Sequence, residues 1–308
     1  MSAQRSGWTR AGRVLAVRGN GDLMGFPTLL TRVAAGLVLV GGALLCGCAA
    51  DARRIDIEPA RVVELPPVTA DAKAAAVRRD PVGYLRQVAA KCSELDYYTL
   101  RFTRYERRGL LQLMYGPEHI ACWFRRAPFS VRMLWLDESL KYGESTYVEG
   151  AADNKVRFTT RWWVPPLKPP PGVNKVDLQT PVIWGESKRP LTDFGLERLM
   201  ERTLAALDEA GEDVIVTYLG LAQLPERAGT VHHLQLEYPA TRQRTPVQEL
   251  YIDIVSDLPV GTLLKLPSGA LDAAYFYDDI DTSVTLGDED FLLSAERGGP
   301  PAAGPSGE

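Results

Sequence analysis

Apolar positions change their period along this chain, and each change marks an element. Val82, Leu85, Val88 and Ala89 recur at helical spacing up to Cys92, behind Asp80 as N-cap and Pro81 in the first turn. The period then falls to two. In "YYTLRFTRY", Tyr98, Leu100 and Phe102 take one face and Thr99, Arg101 and Thr103 the other. Arg108-Gly109 reads as a turn, with strands following at "LLQLMYG" and "EHIACWFRR". "FSVRMLWL" puts Phe129, Val131, Met133 and Trp135 on one face, and "ESTYVEG" and "NKVRFTTRWW" read as a hairpin. Beyond the polyproline-like "VPPLKPPPG", Arg189–Gly211 predicts the best helix, capped by Thr192, striped by Leu196, Leu199, Met200, Thr203, Leu204 and Leu207, and ended by Gly211. Strands follow at "DVIVTYLG", "TVHHLQLEYP", "QELYIDIV", "PVGTLLKLP" and "LDAAYFYDDI", and "GDEDFLL" predicts a short helical turn. Connections this short favour antiparallel pairing. The expected class is therefore α+β, a long antiparallel sheet with two main helices. Two helices cover such a sheet incompletely, which predicts a curved sheet around an apolar groove, with Phe129, Val131, Met133 and Trp135 as one wall.

One apolar run obeys neither period. "AAGLVLVGGALLCGCAA" is too short to span a bilayer, which takes about 20 apolar residues, and matches the core of a secretory signal with Arg32 as its basic flank. Its thirty-odd preceding residues are unusual for such a signal; a start at Met24 restores normal proportions, so residues 1–23 are expected to be a mis-assigned start and 24–47 the signal. Leu45-Cys46-Gly47-Cys48 has the form of a lipobox, with Cys48 as the lipidated residue, since Leu45 is too large to precede a cleavage at Cys46. Several acyl chains on one cysteine give lasting attachment. Residues 48–80 mix charges, alanines and prolines and read as a flexible tether, 81–296 as one α+β domain, and 297–308 as a disordered tail. These readings place the chain on the periplasmic face of the envelope, with Ala49 after the cysteine favouring the outer membrane.

Composition narrows the chemistry. The chain is mildly acidic, with a net charge of −4 and no Lys/Arg block that tracks phosphates, which argues against nucleic-acid binding. Adjacent His232 and His233 point to opposite faces of a strand, and His119 stands alone, so no metal and no cofactor is expected. HExxH, CxxC, P-loop and GxSxG patterns are all missing, and no enzymatic activity is expected. A calcium ladder from Asp279 through Asp281 and Ser283 fails at Val284, where an EF-hand loop needs glycine. Glu106 and Glu118 can pair only through tertiary structure. Cys92 and Cys122 either form a disulfide, as an oxidising compartment allows, or stay as two buried thiols. Trp162–Pro171 either packs over the sheet or serves as a docking loop.

Six stretches in order, "DYYTLRFTRYERRGLL", "APFSVRMLWL", "GESTYVEG", "RPLTDFGLERLMERTL", "YIDIVSDLPVG" and "FYDDIDTSVTLGDEDF", resemble a bacterial lipoprotein family of planctomycete-type genomes, domain-of-unknown-function family 1571. That family is distantly similar to the lipoprotein-carrier superfamily of the LolA and LolB proteins and the RseB sensor domain. The resemblance implies a half-open β-barrel with helices across its concave face. It implies as ligand a lipid or lipoprotein acyl chain; the alternative is a non-catalytic envelope adaptor or sensor that binds a protein partner through a filled barrel and its Pro-rich loop. No ligand-contacting position of the carriers aligns, so no site residue follows from it.

Overall fold

Two antiparallel meanders, one from each half of the chain, are zipped into a single sheet. In the computed structural model, residues 57, 60–62, 70–161, 172–225, 227, 229–239 and 244–297 are described, all within one compact unit, Ala52–Glu308. The first meander is β2 (Tyr97–Arg108), β3 (Leu113–Arg125), β4 (Ser130–Trp135), β5 (Tyr142–Val148), β6 (Val156–Thr160) and β7 (Val173–Val176). The second is β8 (Ile215–Gln223), β9 (Val231–Glu237), β10 (Val247–Asp253), β11 (Pro259–Lys265) and β12 (Leu271–Asp281). β12 joins them by pairing with β2, Tyr277 opposite Phe102 and Ala273 opposite Glu106. With the short β1 (Arg61–Val62), the order is β1-β8-β9-β10-β11-β12-β2-β3-β4-β5-β6-β7.

The α+β content is as expected, but the half-open barrel is not. The strands form an open series that is neither closed nor strongly curled. Closure requires the edge strands to meet; here they are β1 and β7, of two and four residues, at opposite ends of the order.

Three helices, rather than two, serve the sheet. α1 (Ala70–Arg79) and α2 (Pro81–Cys92) precede it, and α4 (Leu196–Ala210) follows the small α3 (Thr180–Ile183). α1 occupies part of the stretch read as a tether. Its "AKAAA" core has high helix propensity and Arg78 and Arg79 suit its C-terminal end. A periodicity search misses it because its buried side is only Ala74 and Val77. Asp80 caps α2 as expected, accepting from the Gly83 N–H at 2.8 Å. Thr192 does not cap α4. A 3₁₀ turn over Leu191–Asp193 intervenes, and the helix opens at Gly195, with φ 127°. A side chain there would meet Tyr98 Oη at 3.0 Å and the Phe124 ring at 3.1 Å. The Leu196 N–H donates to that same tyrosine hydroxyl at 3.1 Å, so the cap is supplied from β2.

The main core lies between these helices and the sheet, built from residues such as Leu85, Val88, Leu100, Ile120, Met200, Leu234, Leu250 and Ile252. The opposite face of β4 and β5 is covered by the C-terminal segment, a 3₁₀ turn over Asp288–Phe291 and α5 (Ser294–Arg297). Arg132 sits buried there over the Trp123 ring, and Thr146 donates to the Phe291 carbonyl at 2.8 Å. Cys48, the start at 1–23, the signal at 24–47, the loop Trp162–Pro171 and tail residues 298–308 lie outside the described residues.

Candidate functional site

β2 continues its alternation past the apolar stretch, and this builds the site. Tyr98, Leu100 and Phe102 face the helices, and the same parity carries Arg104, Glu106 and Arg108 inward, all buried. β3 is one strand where two were expected. Gly116, at φ 123° with the Arg104 carbonyl 2.5 Å from where its Cβ would stand, makes a bulge in the pairing. Glu118 thereby stands directly across from Arg104.

The result is a buried ionic cluster. Glu118 accepts from Arg104 Nη2 at 2.5 Å, from Arg108 Nη2, and from Trp135 Nε1 at 3.2 Å. Burial by itself would raise the Glu118 pKa, but Arg104 and Arg108 outweigh it and hold the carboxyl at about 2. Glu106 lies 3.7 Å from Arg104 Nη1 and accepts from the Tyr275 hydroxyl at 2.6 Å. Burial, then Glu106, pushes the Tyr275 phenol well up, so it stays a donor. Glu106 and Glu118 thus do converge, but around a shared arginine rather than on each other.

Above this cluster is a cavity of about 140 Å³. Phe102 stacks with Tyr277 at 5.4 Å and meets Phe194 edge-on at 5.4 Å; Trp135, Tyr142 and Phe158 continue the wall at 5.8 and 6.0 Å. Segment 181–195 forms the remaining side, with Pro181, Trp184 and Leu191 against the cavity. It is strapped down by polar contacts: Arg108 Nη1 to the Glu186 carbonyl at 2.5 Å, Lys141 to the Glu186 carboxylate, Lys188 to Asp272 at 2.6 Å and Arg202 to the Asp193 carbonyl at 2.7 Å. A second, polar cavity of about 530 Å³ lies by α1, α2 and the Asp257 turn, where Asp257 takes Lys73 at 2.6 Å and the Tyr84 hydroxyl at 2.9 Å.

The expected wall residues divide. Met133 and Trp135 line the cavity, whereas Val131 is fully buried in the main core and Phe129 packs beside it, 5.6 Å from Phe124. Of the two readings held for Cys92 and Cys122, the structure has them as buried free thiols, and burial pushes the Cys92 thiol up to about 12. His232 is buried, with Nδ1 2.9 Å from the Tyr218 hydroxyl, while His233 on the other face bonds Glu249 at 3.1 Å. His119 pairs with Asp137 at 3.2 Å. Asp279 pairs with Arg101 at 3.0 Å and Asp281 accepts from the Ser283 N–H, so both acids of the calcium ladder have protein partners. Among the described residues, no group of three or more His, Cys, Asp or Glu converges as metal ligands, and no helix is long and apolar enough to cross a membrane. The ionic floor and the 181–195 cover were missed from sequence. The signal available for the floor was the parity of Arg104, Glu106 and Arg108 with Phe102.

The whole is an α+β scaffold, an open antiparallel sheet with its three longer helices on one face and an aromatic cavity over a buried ionic floor. The chain belongs to the family described as protein of unknown function (DUF1571), matched over residues 95–296. Curated proteins give no match. Among solved structures it is similar to MucB (14% identity, TM-score 0.42, covering 73% of this chain and 64% of that one). It is also similar to the Pseudomonas aeruginosa MucA/MucB complex structure (14%, TM-score 0.40, 69% and 62%) and to the Mycobacterium tuberculosis lipoprotein LppX (11%, TM-score 0.40, 68% and 100%). A LolA superfamily protein from Nitrosomonas europaea matches at 9% identity with a TM-score of 0.29, over 68% of this chain and 98% of that one. The chain spans less than two thirds of the MucB chains. These are likenesses of fold and transfer no residue's role.

Proposed function

We propose that this is a non-catalytic envelope protein, attached through a lipidated Cys48, that holds a protein partner by one large apolar side chain seated in the aromatic cavity. The size and finish of the cavity carry this reading. Ligand pockets commonly hold about 300–1,000 Å³, whereas a dry cavity of about 150 Å³ accepts a group the size of benzene. At about 140 Å³ the space suits a single aromatic or aliphatic side chain. Beneath it Glu118 is held by Arg104, Arg108 and Trp135, while Glu106 accepts from Tyr275 through one oxygen and keeps the other without a hydrogen bond.

The test places a photo-crosslinking residue at Leu191 in the full chain within intact cells. A discrete protein adduct, lost when Val176→Trp fills the cavity mouth, supports the proposal. Adducts to lipid alone, with acyl chains retained by the purified full chain in native mass spectrometry, overturn it.

A further inference from the structure

Two turns meet at one end of the sheet and expose the largest apolar side chains there. The β2–β3 turn carries Leu110 and Leu111, and the end of α3 carries Ile183 and Trp184; their exposures are 99%, 72%, 78% and 52%. The turns abut backbone to backbone, since a Cβ on Gly185 would lie 3.2 Å from Gly109 Cα. Arg108, bonded to the Glu186 carbonyl at 2.5 Å, locks them together. A leucine exposed at 99% has no protein surface beside it, so this tip is convex rather than a groove.

Cations collar the tip. Arg107 donates to the carbonyls of Leu271 at 2.6 Å and Gln112 at 3.3 Å, and forms no ion pair among the described residues. Arg244 reaches the Gln112 side chain and lies 3.5 Å from Asp272. Asp272 is itself held by Lys188, and Glu186 by Lys141, so the nearby carboxylates are neutralised.

We propose that this end of the domain inserts into the surface of a bilayer containing anionic phospholipid. Leucine and isoleucine enter the acyl boundary, the indole takes the interfacial position, and the arginines meet headgroup phosphates. A protein partner would need a deep concave match to four protruding side chains, whereas a fluid bilayer conforms to them. The proposal shares Trp184 with the cavity but not Leu110, Leu111 or Ile183, and its test rests on the two leucines.

The test uses the mature chain from residue 48 with Cys48→Ser, so that every comparison shares one unacylated N-terminus without the apolar signal. A bimane fluorophore is placed at Leu110→Cys, or at Val255→Cys, an exposed site at the far end of the sheet. On phosphatidylethanolamine–phosphatidylglycerol vesicles, the probe at 110 shifts to the blue and is quenched by brominated lipid, while the probe at 255 is unchanged. Leu110→Ser with Leu111→Ser weakens vesicle binding about tenfold or more. Arg107→Gln with Arg244→Gln weakens it about fivefold per cation on anionic vesicles only. Equal responses at 110 and 255, or unchanged binding by the serine variant, overturn the proposal. So does capture of a soluble protein at the tip with no shift on vesicles.

Discussion

Glu118→Gln tests the ionic floor directly. The side chain is buried, and the substitution leaves the volume nearly unchanged while removing one negative charge between Arg104 and Arg108. Two routes give the magnitude. A carboxyl held at about 2 instead of 4.5 contributes about 3 kcal/mol at neutral pH, at 1.36 kcal/mol per pH unit. Removing one partner of a buried ion pair costs about 3–5 kcal/mol. The folded-state pKa is depressed, so this stability is complete above the unfolded value near 4.5 and is lost as pH falls towards 2. Urea unfolding should therefore show Glu118→Gln losing about 3–5 kcal/mol at pH 7, with the gap to the parent shrinking between pH 4.5 and 2. Replacing the whole cluster by Arg104→Met, Glu106→Gln, Arg108→Met and Glu118→Leu should recover most of the loss, because it removes the desolvated charges together. A loss below about 1 kcal/mol at pH 7, or a gap that does not close in acid, refutes the reasoning.

Two further outcomes follow from the packing of the helices. His232 is held neutral, with burial and then Lys73 pulling its pKa down to about 4. Below pH 6.5 the unfolded chain takes up a proton that the folded chain refuses, so stability falls by up to about 3 kcal/mol between pH 6.5 and 4 and then levels; His232→Gln should lack that slope in pH-dependent denaturation. Gly195→Ala should cost about 1–3 kcal/mol in thermal unfolding, since alanine resists φ 127° and its Cβ would press on Tyr98 and Phe124.

Period and parity made most of the sheet and two of its helices legible. Asp80 and Gly211 end their helices as read, since each acts through local backbone geometry. What sequence hid was supplied from a distance. Thr192 looks like a cap, but the donor at the start of α4 is met by Tyr98, almost a hundred residues away. "LLQLMYG" and "EHIACWFRR" read as two strands, yet they are one with a bulge at Gly116, because β2 runs on alongside both. Leu110 and Leu111 read as the start of a strand and instead stand in the open at the hairpin tip.

The parity of β2 also explains how a strand rich in charge can line the interior. An inward Arg104, Glu106 and Arg108 next to Phe102 would be prohibitively desolvated singly. The bulge at Gly116 brings Glu118 opposite Arg104, Trp135 donates to Glu118 and Tyr275 to Glu106, and only one Glu106 oxygen and the Arg108 Nε of the cluster stay without a hydrogen bond. Trp135 therefore has two jobs that conflict if separated: its ring forms the cavity wall while its N–H satisfies the floor. Trp135→Phe keeps the wall and orphans one Glu118 bond, for a cost of about 1.5–3 kcal/mol, and Val176→Trp fills the cavity mouth from the far side. Partner capture lost in the second variant and retained in a folded first one would place recognition in the shape of the cavity, with the ions beneath serving only to hold that shape.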